Sequence, residues 1–316
     1  MDKLEERKVV EMVFGGHPQI TIDESERPDF ICRVQETIEF GVEVTDFYLS
    51  ESVARLRNIP NYASDLLSSK AYRHKDDKER IRVDNVIYHS AKTGEKREIQ
   101  AIIGEEHTID EVVSRIKATI DSKTDKSIGY STEIVDLVIR DVESIAGFDD
   151  FQKLIRAIGR TDASSSILRT GFREIYLLTK QKSDWVCVPL RANLFVAEVL
   201  KFQQLFKDHH GSKFESLTIK DYLVELARHL SKTFGVVEFD VPNENHPRLI
   251  FGSVAVGYGE NQGLEITDIS IDSLEGRDIA EFDDVGDAAL QNFVKTEADE
   301  IFACAPVLFP AKQVSE

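Results

Sequence analysis

PDFICRVQETIEFGVEVTDFYL, residues 28–49, decides how this chain reads. PDFICRV and GVEVTDFYL are rich in β-branched and aromatic residues, and the polar Gln35-Glu36-Thr37 near their junction predicts a β-hairpin. Paired residue numbers in an antiparallel hairpin have a constant sum. A three-residue loop centred on Glu36 sets that sum at 72 and pairs Asp29 with Glu43, both facing the same side. Directly opposed Cβ atoms lie about 4.5–5.5 Å apart, where like charges destabilise the pair unless a cation or a proton compensates. Oxygen ligands of this kind suit Mg²⁺ or Mn²⁺, ions that keep bound waters and can activate one against a phosphodiester. The expectation depends on parity, because a loop of two or four residues would turn Glu43 to the opposite face.

Outward from the hairpin, the pattern is that of an α/β protein. Residues 2–14 place Leu4, Val9, Val10, Val13 and Phe14 among charges, which predicts an amphipathic helix ended by Gly15-Gly16. Ser50 can cap a short helix running to about Asn58. IRVDNVIYH and REIQAII predict strands around Lys92-Thr93-Gly94, within a stretch, 59–108, read as an insertion. Thr108 and Glu111 stand in capping-box spacing ahead of a helix with Ile109, Val112, Val113, Ile116 and Ile120 on one face. IVDLVIRD and FREIYLLTK are nearly continuous apolar runs, as strands covered on both faces require, and a helix is expected between them from Asp149 to Ile158.

Residues 191–208 are amphipathic and helical, and His209-His210-Gly211 marks a boundary between a domain at 1–210 and a C-terminal α+β domain at 211–316. In the latter, residues 218–234 and 288–303 predict helices, and LIFGSVAVGYG and GLEITDISI predict strands joined by a Gly/Asn turn. This acidic segment suits oligomerisation or the binding of a protein partner.

Composition restricts function. The chain has 316 residues, 41% of them apolar, enough for a core. No run approaches the roughly 18–20 apolar residues of a membrane span, and the charged start does not suit a signal peptide, so a cytoplasmic location without membrane contact is expected. Cys32, Cys187 and Cys304 lie far apart in apolar contexts and read as buried free thiols. A formal charge of −18 argues against polyanion binding over the whole surface and confines nucleic-acid contact to local patches. Candidates are Lys70 and Arg73, interleaved with Tyr62 and Tyr72 as a base-stacking composition, and Lys123 with Lys126; solvated loops explain such charge runs equally simply. The eight histidines have no metal spacing, and GYGENQG (257–263) lacks the Lys-Ser/Thr of a phosphate loop and reads as a turn.

ERPDF (26–30) followed by GVEVT (41–45) resembles the PD-(D/E)XK nuclease superfamily, particularly uncharacterised bacterial members associated with defence. Those members also have a later helix with paired lysines and a tyrosine and then an apolar strand; the counterparts here are Ile116, Ile120, Lys123, Lys126 and Tyr130, with VDLVI at 135–139. The resemblance spans roughly residues 3–205. It implies a restriction-endonuclease-like mixed sheet flanked by helices and a metal-dependent hydrolysis of nucleic acid, DNA before RNA, with antiviral defence as a family-level role. By position it makes Asp29 and Glu43 ligands of Mg²⁺ or Mn²⁺, with Glu6, or less readily Glu5, as a third. The departure is Thr45, where the superfamily has a lysine. The resemblance lets Lys123 or Lys126 relocate that charge to a helix, with Arg27 a weaker candidate. The rival reading is a scaffold of this type that no longer cleaves and serves as a binding or assembly module.

Overall fold

In a computed structural model the protein is described over residues 2–16, 19–35, 38–89, 94–105, 107–142, 151–181, 184–211, 219–234, 238–240, 248–258, 264–268 and 309–311. The chain divides into two compact units, Met1–Phe47 with Ile116–Glu316, and Tyr48–Arg115.

The first unit opens with α1 (Lys3–Phe14), capped where the Asp2 carboxylate accepts the Glu5 N–H at 2.9 Å. Strands β1 (Ile20–Glu24), β2 (Phe30–Val34) and β3 (Ile38–Phe47) follow. The second unit contains α2 (Glu51–Asn58), α3 (Tyr62–Ser69), the single turn α4 (Asp77–Arg80), β4 (Arg82–His89) and β5 (Lys96–Ile103). Helix α5 (Ile109–Ser127) begins in the second unit and ends in the first. The first unit resumes with β6 (Val135–Asp141), α6 (Phe151–Gly159), α7 (Ala163–Arg169), β7 (Ile175–Gln181), β8 (Asp184–Pro189) and α8 (Leu190–His210), then α9 (Ile219–Phe234), β9 (Glu238–Asp240), β10 (Arg248–Phe251), β11 (Val254–Tyr258), β12 (Leu264–Asp268) and β13 (Phe309–Pro310).

The main sheet runs β1-β2-β3-β6-β7-β8-β13 and is mixed: β3, β6 and β7 are parallel neighbours, and the outer pairs are antiparallel. Helices flank it, giving an α/β architecture. One face is covered by α1, whose Val9, Val10 and Phe14 pack with Phe30, Phe40, Val42, Val44, Val138 and Tyr176. Along β3 the alternate residues Glu43 and Thr45 therefore face away from this core. Helices α8 and α9, on either side of the boundary read at Gly211, share one hydrophobic cluster with β10 and β11. Those strands belong to a four-stranded antiparallel sheet, β12-β11-β10-β9.

The stretch read as one strand, LIFGSVAVGYG, is instead a hairpin broken at Gly252-Ser253. Gly252 has φ +57° with the Arg173 carbonyl 3.0 Å from where a Cβ would sit, so glycine fits and a side chain would crowd the turn. The expected helix at 288–303, Cys304, and most of the turns at 35–37, 92–94 and 257–263 lie outside the described residues. No helix among the described residues is long and apolar enough to cross a membrane.

The second unit is built around Asp77. This fully buried carboxylate meets the Arg55 guanidinium at 2.6 Å and the Tyr62 hydroxyl at 2.6 Å, beside a small core of Tyr62, Leu66 and Ile81. Burial alone would raise its pKa, but the bonds from Arg55, Tyr62 and Ser52 prevail and lower it. The β4–β5 hairpin and the Ser50 cap of α2 match the sequence reading. The Thr108 capping box also forms: the Glu111 N–H donates to Thr108 Oγ1 at 3.3 Å, and the Thr108 N–H donates to Glu111 Oε2 at 2.8 Å.

Candidate metal centre

The β2–β3 ladder runs from Val34↔Ile38 to Phe30↔Val42, so every pair sums to 72 as a three-residue loop requires. The ladder ends one step short of Asp29, which lies in the bend before β2. Asp29 is nevertheless fixed beside Glu43, because its Oδ2 accepts the Val44 N–H at 2.9 Å. The bend is held by packing as well. A Cβ on Gly41 would lie 2.3 Å from Pro28 Cγ and 2.5 Å from Thr132 Oγ1, so only glycine lets Pro28 lie against β3 and carry Asp29 to this point.

Two lysines from opposite directions meet these carboxylates. From α5, the Lys123 ammonium contacts Glu43 Oε1 at 2.6 Å and the Val44 carbonyl at 3.5 Å. From the first turn of α1, Lys3 Nζ lies 2.9 Å from Asp29 Oδ1 and 3.0 Å from Glu6 Oε2, and 5.3 Å from the centroid of the Phe30 ring. Glu43 is only 8% exposed. The Glu6 carboxyl is raised above its ordinary range by burial and by the Asp29 charge, against the pull of Lys3. The Lys3 ammonium loses some stability by burial, but the bonds and charges of Asp29 and Glu6 raise its pKa overall. The Tyr130 phenol is also held above its usual range, by burial first and then by the neighbouring Glu43 carboxylate.

Of the residues singled out from sequence, Glu6 and Asp29 thus meet through Lys3, Glu43 meets Lys123, and the Val44 N–H ties Asp29 to the residue next to Glu43. Lys126 is exposed one turn further along α5, and Arg27 lies in the bend outside the paired strands, its carbonyl accepting the Ser131 N–H at 3.1 Å. Glu5 reaches instead toward Arg140, which pairs at 2.7 Å with Asp46. Lys70 and Arg73 lie in the second unit, where Arg73 pairs with Asp65 at 2.5 Å and covers the Tyr62 ring. The stacking role read for Tyr62 is corrected. Tyr62 is fully buried with its hydroxyl on Asp77, and the half-buried Tyr72 donates to the Ile81 carbonyl at 3.2 Å. Burial of the Tyr62 ring closes the unit's own core and takes that ring away from any base. Sequence reasoning missed Lys3.

A divalent ion fits this donor set in a limited way. Among the described residues no three His, Cys, Asp or Glu side chains converge into a ready-made ligand group. Mg²⁺, however, is commonly held by one or two carboxylates, with waters and substrate oxygens completing its shell. The Lys3 ammonium already stands as a cation between Asp29 and Glu6, and Glu6 Oε2, buried, has that ion pair without an aligned hydrogen bond. The chain matches no family model, no curated protein and no solved structure in the comparisons made.

Proposed function

We propose that this chain is a metal-dependent nuclease of the PD-(D/E)XK type, its restriction-endonuclease-like core formed by α1, β1, β2, β3, α5 and β6. The observation that carries the reading is Lys123 on Glu43 at 2.6 Å: an ammonium delivered by a helix to the face where strand residue Thr45 offers no charge. Asp29 and Glu43 would hold Mg²⁺ or Mn²⁺, with Glu6 reachable once Lys3 moves. The bound ion would supply Lewis acidity and a water of lowered pKa. Lys123 contributes a fixed positive charge where a phosphate oxygen gains negative charge, and Val44 keeps Asp29 oriented through its N–H. DNA is the proposed substrate, and defence against foreign DNA the proposed role.

A second reading has support from the same geometry. Asp29 and Glu43 are each already paired with a lysine, which is how a module that binds without cleaving would rest. The two are separated by incubating the purified chain with plasmid and single-stranded DNA in Mg²⁺ or Mn²⁺, beside an Asp29→Ala/Glu43→Ala variant, and by measuring Mn²⁺ binding. Metal-dependent cleavage lost in the variant supports the nuclease. Intact substrates with no Mn²⁺ uptake leave the module.

A further inference from the structure

We propose that Lys3 is a resident counter-ion that occupies the metal side of Asp29 and Glu6 and must swing away before a divalent ion enters. The inference rests on the metal-binding reading above and assigns a role to a residue that reading does not use.

The geometry separates the two lysines of the site. Lys123 is 18% exposed, comes from the interior of a 19-residue helix and has two oxygen contacts, one to a side chain and one to the backbone. Its turn of α5 is anchored beside it, where the Thr124 hydroxyl bonds the Ile120 carbonyl and the Thr170 hydroxyl, both at 2.9 Å. Lys3 is 39% exposed and occupies the first position of α1, next to the cap residue Asp2. A partly exposed ion pair contributes little to stability, so an ammonium on a long stem at a helix end is the group that yields. Its contacts are those a cation makes: one oxygen from Asp29 and one from Glu6, two carboxylates that would otherwise repel each other. The other oxygen of Asp29 is committed to the Val44 N–H. A metal on Asp29 thus competes for Oδ1, the atom Lys3 holds. Lys123 can stay in place throughout, so the site never loses both positive charges.

Consequences follow for both metal-free and metal-bound protein. Replacing Lys3 by methionine keeps the helix-forming stem and removes the competing charge. Without metal the variant should melt lower, because Asp29 and Glu6 then face each other uncompensated. With metal it should bind more tightly, by about fivefold for the loss of two weak pairs.

The test is Mn²⁺ titration of the full-length chain, followed by Mn²⁺ electron paramagnetic resonance and by melting temperature, for the parent protein, Lys3→Met, Lys3→Arg and Asp29→Asn. The proposal expects Lys3→Met to bind more tightly than the parent and to gain more melting temperature on adding Mn²⁺, Lys3→Arg to resemble the parent, and Asp29→Asn to lose binding. Equal or weaker affinity in Lys3→Met, with the parent binding Mn²⁺ through Asp29, overturns the role of Lys3 and leaves the metal site standing. Absence of Asp29-dependent binding in both proteins overturns the two together.

Discussion

The Lys123–Glu43 contact can be weighed by a double-mutant cycle. The perturbations are Lys123→Met, Glu43→Gln and the pair, all in EDTA so that only the folded chain is measured. At 2.6 Å Coulomb's law gives about 1.6 kcal/mol at the permittivity of water and about 6 kcal/mol at an effective value near 20. Desolvation opposes this, because the two side chains are only 18% and 10% exposed. The net coupling should fall between an exposed pair and a fully buried one, about 2 kcal/mol. Each single variant leaves its partner uncompensated, so Glu43→Gln and Lys123→Met should each be less stable than the parent. The double variant should recover part of the sum. The assay is urea unfolding followed by circular dichroism, with the coupling taken from four midpoints at a shared slope. A coupling below about 0.5 kcal/mol would show that the contact does not form in solution, and the placement of a helix lysine at this site would be lost with it.

Further expectations follow from other contacts. Gly41→Ala should cost about 1–3 kcal/mol in urea midpoint through overpacking against Pro28 and Thr132, and should weaken Mn²⁺ binding because Pro28 leads directly into Asp29. An unchanged midpoint counts against the close approach. Asp77→Asn should destabilise the second unit strongly at neutral pH. Since the folded Asp77 pKa is lowered, its contribution is present above the ordinary carboxylate range and fades as pH falls through the folded value, so the gap between the two proteins should begin to close near about pH 4 and close fully only below the folded value. A gap that stays constant or widens on acidification reverses the sign of that shift. Cys32, whose thiol is pushed up to about 12 by burial and then by Asp136 and Asp23, should remain unalkylated by iodoacetamide near neutral pH until urea unfolds the chain. Peptide mapping reads this directly, and modification in the native state would contradict it.

The hairpin was legible because two local rules agree: apolar alternation fixes the strands, and an odd loop fixes the sum of 72 that the ladder keeps, but the ladder stops at Phe30↔Val42 and Asp29 is placed by the Val44 N–H and by Pro28 packing on Gly41. The capping box at Thr108 was legible for the same reason. Choosing Lys123 over Lys126 was within reach of helix geometry. At about 100° per residue, Lys123 lies some 20° from the direction of Ile116 and Lys126 some 80° from it. Lys123 is therefore carried with the buried face and Lys126 turned to solvent. Other elements gave weaker signals. Strand β1 is mostly exposed and short, and β8 and the two-residue β13 are recognisable only by what they pair with. Tyr62 looked like a platform for bases because its sequence neighbours are basic; only the fold brings Asp77 to its hydroxyl. Lys3 carried no local signal, since its partner Asp29 is 26 residues away and one lysine among the charges of an N-terminal helix resembles any other.

The same sheet offers a comparison that bears on why the carboxylates are there. Asp136, fully buried on β6, is met by two nitrogens of Arg173 and by the Glu174 N–H, so both its oxygens have directed donors in a fixed fork. That is how a buried acid is closed for structural use, and it leaves no approach for an ion. Asp29, Glu43 and Glu6 are arranged otherwise. Their side-chain partners are lysine ammoniums, point charges on flexible stems, with the Val44 N–H holding the second oxygen of Asp29, and Glu6 Oε2 lacks an aligned bond. One ammonium, Lys3, serves the two carboxylates of Asp29 and Glu6, which leaves that contact formally negative beside an apolar core. Stability alone favours apolar packing or a closed pair at such a place, because an incompletely bonded buried charge costs more than it returns. The partly exposed Lys3 contacts on Asp29 and Glu6 are the ones that exchange of one cation for another would use, as the proposed metal binding requires.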